Sequence, residues 1–91
     1  MKVVFTKHAE EKFENLARVG VFVTKRDVIK TITQPDHLDR EIDFPQIIAS
    51  RLLSKTRILR VVYKMENDIM TVITFYPAKI GRYYENKESK N

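Results

Sequence analysis

The hydrophobic period of this chain is helical from Thr6 to Pro35 and strand-like beyond it, and the change at Pro35 limits the folds open to it. Before Pro35 the apolar residues recur with helical spacing. Ala9, Phe13, Leu16 and Ala17 fall at i, i+4, i+7 and i+8, the stripe of an amphipathic helix. Thr6 stands where the N-cap belongs, Glu10 and Glu11 suit the positive end of the helix dipole, and Gly20 is placed to stop it. Glu14 and Arg18 add an i, i+4 ion pair in the favourable order. A second helix starts more clearly, with Thr24 as N-cap, Asp27 in the capping-box position and Val23 packing on Val28 as a hydrophobic staple. Its buried face is expected to be Val28, Ile29 and Ile32. Proline disfavours helical geometry in the residue before it, so Pro35 closes this helix.

Beyond Pro35 the pattern is that of strands, over residues 37 to 42, 46 to 54, 57 to 66 and 69 to 76, with one earlier strand over residues 2 to 5. Asn67 and Asp68 both tolerate positive φ and form a two-residue hairpin loop. The order β-α-α-β-β-β-β predicts an α+β fold with two N-terminal helices packed on one face of an antiparallel sheet. With two glycines and three prolines in 91 residues there is little loop material, and one domain over residues 1 to 84 with a flexible charged tail over 85 to 91 is expected. Cysteine is absent, which excludes a disulfide framework and a thiolate metal site and fits a reducing compartment. No apolar run approaches the roughly 20 residues needed to span a bilayer, and the N-terminus turns polar too early for a signal peptide. The expectation is a cytoplasmic protein with no membrane partner.

The formal charge of +5 is unevenly placed. Residues 1 to 48 hold eight basic and eight acidic side chains, whereas 49 to 91 hold nine and four, so the whole surplus lies in the strand-rich half. Between Phe44 and Met65 there are five cations, Arg51, Lys55, Arg57, Arg60 and Lys64, and no carboxylate. A two-residue loop at Asn67-Asp68 sets Arg60 opposite Phe75, Val62 opposite Ile73 and Lys64 opposite Thr71. The other face then receives Leu59, Val61, Tyr63 and Met65 with Met70, Val72, Thr74 and Tyr76, and belongs to the helices. An even loop centred on Lys55-Thr56 sets Arg51 opposite Arg60. Like charges so opposed cost on the order of 0.2 to 1 kcal/mol. A face that accepts this cost suits an anionic partner, while a one-residue slip would send the two arginines to opposite faces. The plainer explanation is a solubilised open sheet face.

Three other features bear on chemistry. Phe5-Thr6-Lys7-His8-Ala9 puts His8 in the first turn of helix one, as a general acid or base or as a packing residue. His37 lies between Asp36 and Asp39, a pattern too short to specify a metal site. After the last strand, Lys79, Arg82, Tyr83 and Tyr84 combine cations with aromatic rings, which hold phosphate and stack on bases or else cover the edge of the core.

These motifs, together with Arg18-Val19-Gly20-Val21, Asp27-Val28, Gln34-Pro35-Asp36, Arg60-Val61-Val62-Tyr63 and Val72-Ile73-Thr74-Phe75-Tyr76, resemble a family whose domain opens on a Phe-Thr-x-His-Ala box and which is similar to the RelE/ParE toxin superfamily. The resemblance covers roughly residues 3 to 84. It implies a RelE-like fold and the toxin of a toxin-antitoxin pair, a metal-independent endoribonuclease that cleaves messenger RNA by 2′-hydroxyl attack, free or on the ribosome. Its partners would be RNA and a cognate antitoxin, with no cofactor and no metal. Carried onto this sequence, Arg51, Arg60, Lys64 and Arg82 would clamp phosphate and stabilise the transition state, with Tyr83 and His8 as further catalytic candidates and Lys79 and Tyr84 as RNA-binding residues. RelE-type sites do not generally use a histidine at the place of His8. Because the superfamily includes members that do not cut RNA, the alternative is a non-catalytic module that binds RNA or inhibits a protein such as DNA gyrase.

Overall fold

A computed structural model describes residues 2–80, in the order β1 (Lys2–Phe5), α1 (Lys7–Arg18), α2 (Lys25–Thr33), β2 (His37–Asp39), β3 (Ile47–Leu52), β4 (Arg57–Glu66) and β5 (Ile69–Lys79). The architecture is α+β. The five strands form one sheet in the order β1-β5-β4-β3-β2. The sheet is mixed rather than antiparallel, because β1 runs parallel to β5 with Lys2 opposite Ile69 and Phe5 opposite Val72. A parallel neighbour needs a long crossover, and the α-helical pair and the three strands that follow it supply one.

The helix signals act as the residues dictate. Thr6 accepts the N–H of Ala9 as N-cap, and Thr24 and Asp27 exchange the two hydrogen bonds of a capping box. Gly20 ends the first helical segment at φ 80°, and its N–H and that of Val21 return to carbonyls of the last turn. The core lies between the helices and one sheet face, and includes Ala9, Val28, Ile32, Ala49, Leu59, Val61, Tyr63, Met70, Val72 and Phe75, with Phe13 and Leu16 against it. Ile29 is not among them; it is exposed and Thr31 is buried in its place, its hydroxyl donating to the Asp27 carbonyl.

Two registers differ from the sequence expectation. Asn67 and Asp68 form the expected tight loop, both at positive φ, and pairing follows it from Glu66–Ile69 to Tyr63–Val72. There a β-bulge inserts Ile73, so that Val62 faces Thr74, Val61 faces Phe75 and Arg60 faces Tyr76. Phe75 therefore enters the core, fully buried, while Thr74 and Tyr76 move to the face away from the helices. The β3–β4 connection is an odd loop of residues 53 to 57, closed by the Leu53 N–H on the Arg57 carbonyl. Ser50 is consequently opposite Arg60, and Arg51 opposite Leu59. Arg51 and Arg60 thus stand on opposite faces. The cross-strand pair of like charges in this sheet is instead Arg57 with Lys79, at the strand ends.

Candidate functional site

The bulge at Ile73 and the start of α1 are built against each other. The backbone N–H of Thr6 donates to the Val72 carbonyl at 3.0 Å, and the Thr6 hydroxyl donates to the carbonyl of Ile73 at 3.0 Å. The same hydroxyl caps α1 by accepting from Ala9. Ala9 is fully buried, so a larger side chain there would push the helix off the sheet. Phe5 packs on Phe13, and Phe13 on Phe75, with ring centroids 5.8 and 4.6 Å apart. The Phe-Thr-x-His-Ala box thus fastens the N-terminus of α1 to the irregular point of β5, and its remaining polar residue, His8, falls next to that point.

His8 Nε2 lies 3.2 Å from Thr74 Oγ1. Lys12, one turn further along α1, donates to the same hydroxyl at 3.4 Å. Its ammonium is also 5.7 Å from the centre of the Tyr76 ring, and the Arg60 guanidinium is 5.5 Å from that centre. Two cations from different elements therefore share one aromatic ring, an arrangement favoured by the ring quadrupole and opposed by their mutual repulsion. From Tyr76 a row of residues in register crosses the sheet through Arg60 and buried Ser50 to His37 on β2. The next row holds Asp39, Ile48, Val62 and Thr74. On the face away from α1 and α2 the polar groups thus gather at the edge where His8, Lys12, Thr74, Tyr76 and Arg60 meet, and His37 is separated from them by buried Ser50, Ile48 and Val62.

The sequence-derived residues divide between this edge and other places. Arg60 and His8 are brought together around Thr74 and Tyr76. Arg51 is not; its guanidinium donates to the Gln34 carbonyl at the end of α2, where a cation complements the helix dipole. Lys64 shares the face of Arg60 but sits four residues along β4, about 13 Å away by strand rise, in an exposed ion pair with Glu66 at 3.7 Å. Lys79 lies opposite Arg57, in register with the strand face of Leu59 and Pro77. Arg82, Tyr83 and Tyr84, like the tail over 85 to 91, lie outside the described residues.

Lys12, Thr74, Tyr76 and His37 were not singled out as a site. Lys12 was within reach of sequence reasoning, because it follows His8 by four residues and so shares its helix face. Thr74 and Tyr76 were hidden by the bulge. The carboxylates beside His37 are committed to the backbone. Asp36 accepts from Leu52 N–H, and Asp39 accepts from the N–H groups of Glu41 and Ile42 at 2.9 and 3.1 Å. Those two bonds are the main reason the Asp39 carboxyl is held below its ordinary pKa, with the positive charges of His37 and Arg60 adding to them. Among the described residues no group of three or more histidines, cysteines or carboxylates is placed to hold a metal ion. No helix among them is long and apolar enough to cross a membrane.

Comparison of the chain with protein-family models, curated proteins and solved structures gives no match. The likeness to the RelE/ParE superfamily therefore stands on the short sequence motifs alone.

Proposed function

We propose that this protein binds single-stranded RNA where His8, Lys12, Arg60 and Tyr76 meet, on the sheet face opposite α1 and α2, and cleaves it without a metal, in the manner of a RelE-like endoribonuclease. The observation that carries the reading is the convergence of Lys12 and Arg60 on Tyr76, beside His8 and Thr74. In this reading the cations hold phosphate and Tyr76 offers a ring to a base, the pairing used for single strands.

The reaction is a transesterification. The ribose 2′-oxygen attacks the adjacent phosphorus, the P–O5′ bond breaks, and the products are a 2′,3′-cyclic phosphate and a free 5′-hydroxyl. One proton leaves the 2′-hydroxyl and one is delivered to the departing oxygen. Arg60 and Lys12 stabilise the extra negative charge on the phosphoryl oxygens, the electrostatic contribution that dominates such reactions. His8 serves in proton transfer through its ring, oriented by Thr74. The toxin role and a cognate antitoxin rest on the resemblance alone.

The test is incubation of a labelled RNA with the purified protein in the presence of a chelator. Fragments ending in 2′,3′-cyclic phosphate, lost in a Lys12→Ala, Arg60→Ala double variant, support the reading. Intact RNA together with no measurable binding sinks it. A second reading, a non-catalytic module that docks on RNA or on a protein such as gyrase, draws on the engagement of His8 Nε2 with Thr74. Salt-dependent binding with no cleavage would favour its RNA-docking form.

A further inference from the structure

Two exposed apolar surfaces at opposite ends of the sheet carry opposite charge. The first is the β2–β3 connection, Arg40-Glu41-Ile42-Asp43-Phe44, on which Ile42 and Phe44 are 78% and 80% exposed. The connection is held by its own backbone. Asp39 fixes the N–H groups of Glu41 and Ile42, the Phe44 N–H reaches the Glu41 carbonyl, and the Gln46 N–H reaches that of Asp43. It is thus a preformed knob whose two apolar side chains alternate with two carboxylates, Arg40 being its one cation.

The second surface is a groove lined by Val21, Phe22, Leu53, Arg57 and Pro77, with Phe22 76% exposed and Val19, 74% exposed, nearby in the chain. Arg57 and its cross-strand partner Lys79 are both exposed at this end, and Lys55 is exposed in the adjoining loop. Two like charges in register cost free energy that an incoming carboxylate would recover. Arg18, also at this end, is already paired with Glu14.

The knob cannot reach the groove of its own chain. β3 begins at Ile47 beside the knob and ends at Leu52 beside the groove, roughly 17 Å apart by strand rise, with the sheet between them. We propose that the occupant is a second copy of this chain. Ile42 and Phe44 of one copy enter the groove of the next, and Glu41 and Asp43 meet Arg57 and Lys79. Such a contact is heterologous: each copy uses one surface to give and another to receive.

That asymmetry supplies the test. Sedimentation of the wild-type chain across a wide concentration range should show a weight-average mass rising above the 10.8 kDa of one chain. Phe44→Ser and Phe22→Ser alter only exposed side chains, so each should melt like the wild type yet stay monomeric. Mixed in equal amounts they should form a two-chain complex, because one retains the knob and the other the groove. Glu41→Lys with Asp43→Lys should likewise fail alone and associate with Arg57→Glu, Lys79→Glu. A wild type that is monomeric throughout, a mixture of the two serine variants that stays monomeric, or association that survives in both single variants would each overturn the proposal. So would a wild type that ignores its own copies but binds an acidic peptide in the groove.

Discussion

His8 and Thr74 are 66 residues apart in sequence, and their side chains meet at 3.2 Å because the bulge at Ile73 turns Thr74 toward the start of α1. The contact is between an exposed histidine and a half-buried threonine, so its loss should disturb function more than folding. Thr74→Val keeps the branched shape and removes the hydroxyl. We expect a stability change within about 1 kcal/mol and a fall in kcat of roughly tenfold to a hundredfold with little change in KM. Thr74→Ser should retain most of the rate. Melting curves beside single-turnover RNA cleavage separate the two effects, and equal loss in Val and Ser variants would remove Thr74 from the mechanism.

Arg60 and Arg51 are chemically alike and sit on opposite faces, which makes them a matched pair. Arg60→Ala should weaken RNA binding and lower the slope of log affinity against log salt by about one unit. Arg51→Ala should leave that slope unchanged. It should instead cost about 0.5 to 1.5 kcal/mol of stability by removing the donor to the Gln34 carbonyl. Binding titrations at several salt concentrations, with a denaturant melt of each variant, decide between this assignment and the shared patch that the sequence suggested.

The bulge makes a prediction that simple alternation would reverse. Phe75→Ala should destabilise by about 3 to 5 kcal/mol, the cost of emptying a fully buried aromatic site. Ile73→Ala, at the inserted and only half-buried position, should cost clearly less. In the same hairpin Asp68 holds φ 64°, a region that aspartate tolerates at a small cost and glycine at none. Asp68→Gly should therefore raise stability by a few tenths to about 1 kcal/mol. Chemical denaturation of the three variants checks the ordering.

Stability should depend on pH through Asp39 at one end and Tyr63 at the other. The Asp39 carboxyl is held low in the folded chain, so its contribution is present above its unfolded pKa of about 3.9 and is lost as pH falls further. Asp39→Asn should flatten the acid limb. Burial holds the Tyr63 hydroxyl above its ordinary pKa, so its contribution is present below about pH 10 and is lost above it. Tyr63→Phe should flatten the alkaline limb. An acid limb unchanged in Asp39→Asn would mean that its two backbone bonds do not persist in solution.

Both helix starts, the arrest at Gly20 and the Asn67-Asp68 loop were legible in the sequence, because each depends on residues within four positions of one another. The faces of the sheet were legible only as far as that loop dictated them. Pairing follows it as far as Tyr63 with Val72 and then changes at Ile73. Nothing in Met70-Thr71-Val72-Ile73-Thr74-Phe75-Tyr76 marks the change, since apolar and aromatic residues occupy both parities and either register buries a hydrophobic set. Lys55-Thr56 gave no indication of whether its loop was even or odd, and that parity alone separates Arg51 from Arg60. The parallel placement of β1 beside β5 was hidden for another reason: no local signal reports which distant strand a four-residue segment will join.

That placement also sets the order of events during synthesis. β5 lies between β1 and β4, so the first strand has no neighbour in the sheet until residues 69 to 72 have been made. Val72 and Phe75, which complete the core beneath α1, arrive at the same late stage. The amphipathic face of α1 must wait for them in a growing chain, whereas α2 rests on β3 and β4, which are made earlier. Folding dominated by such distant pairings is slow compared with that of a helical bundle. A chain cut short before Ile69 would retain both helices and most of the sheet in sequence, yet expose the apolar surface that β5 was to cover.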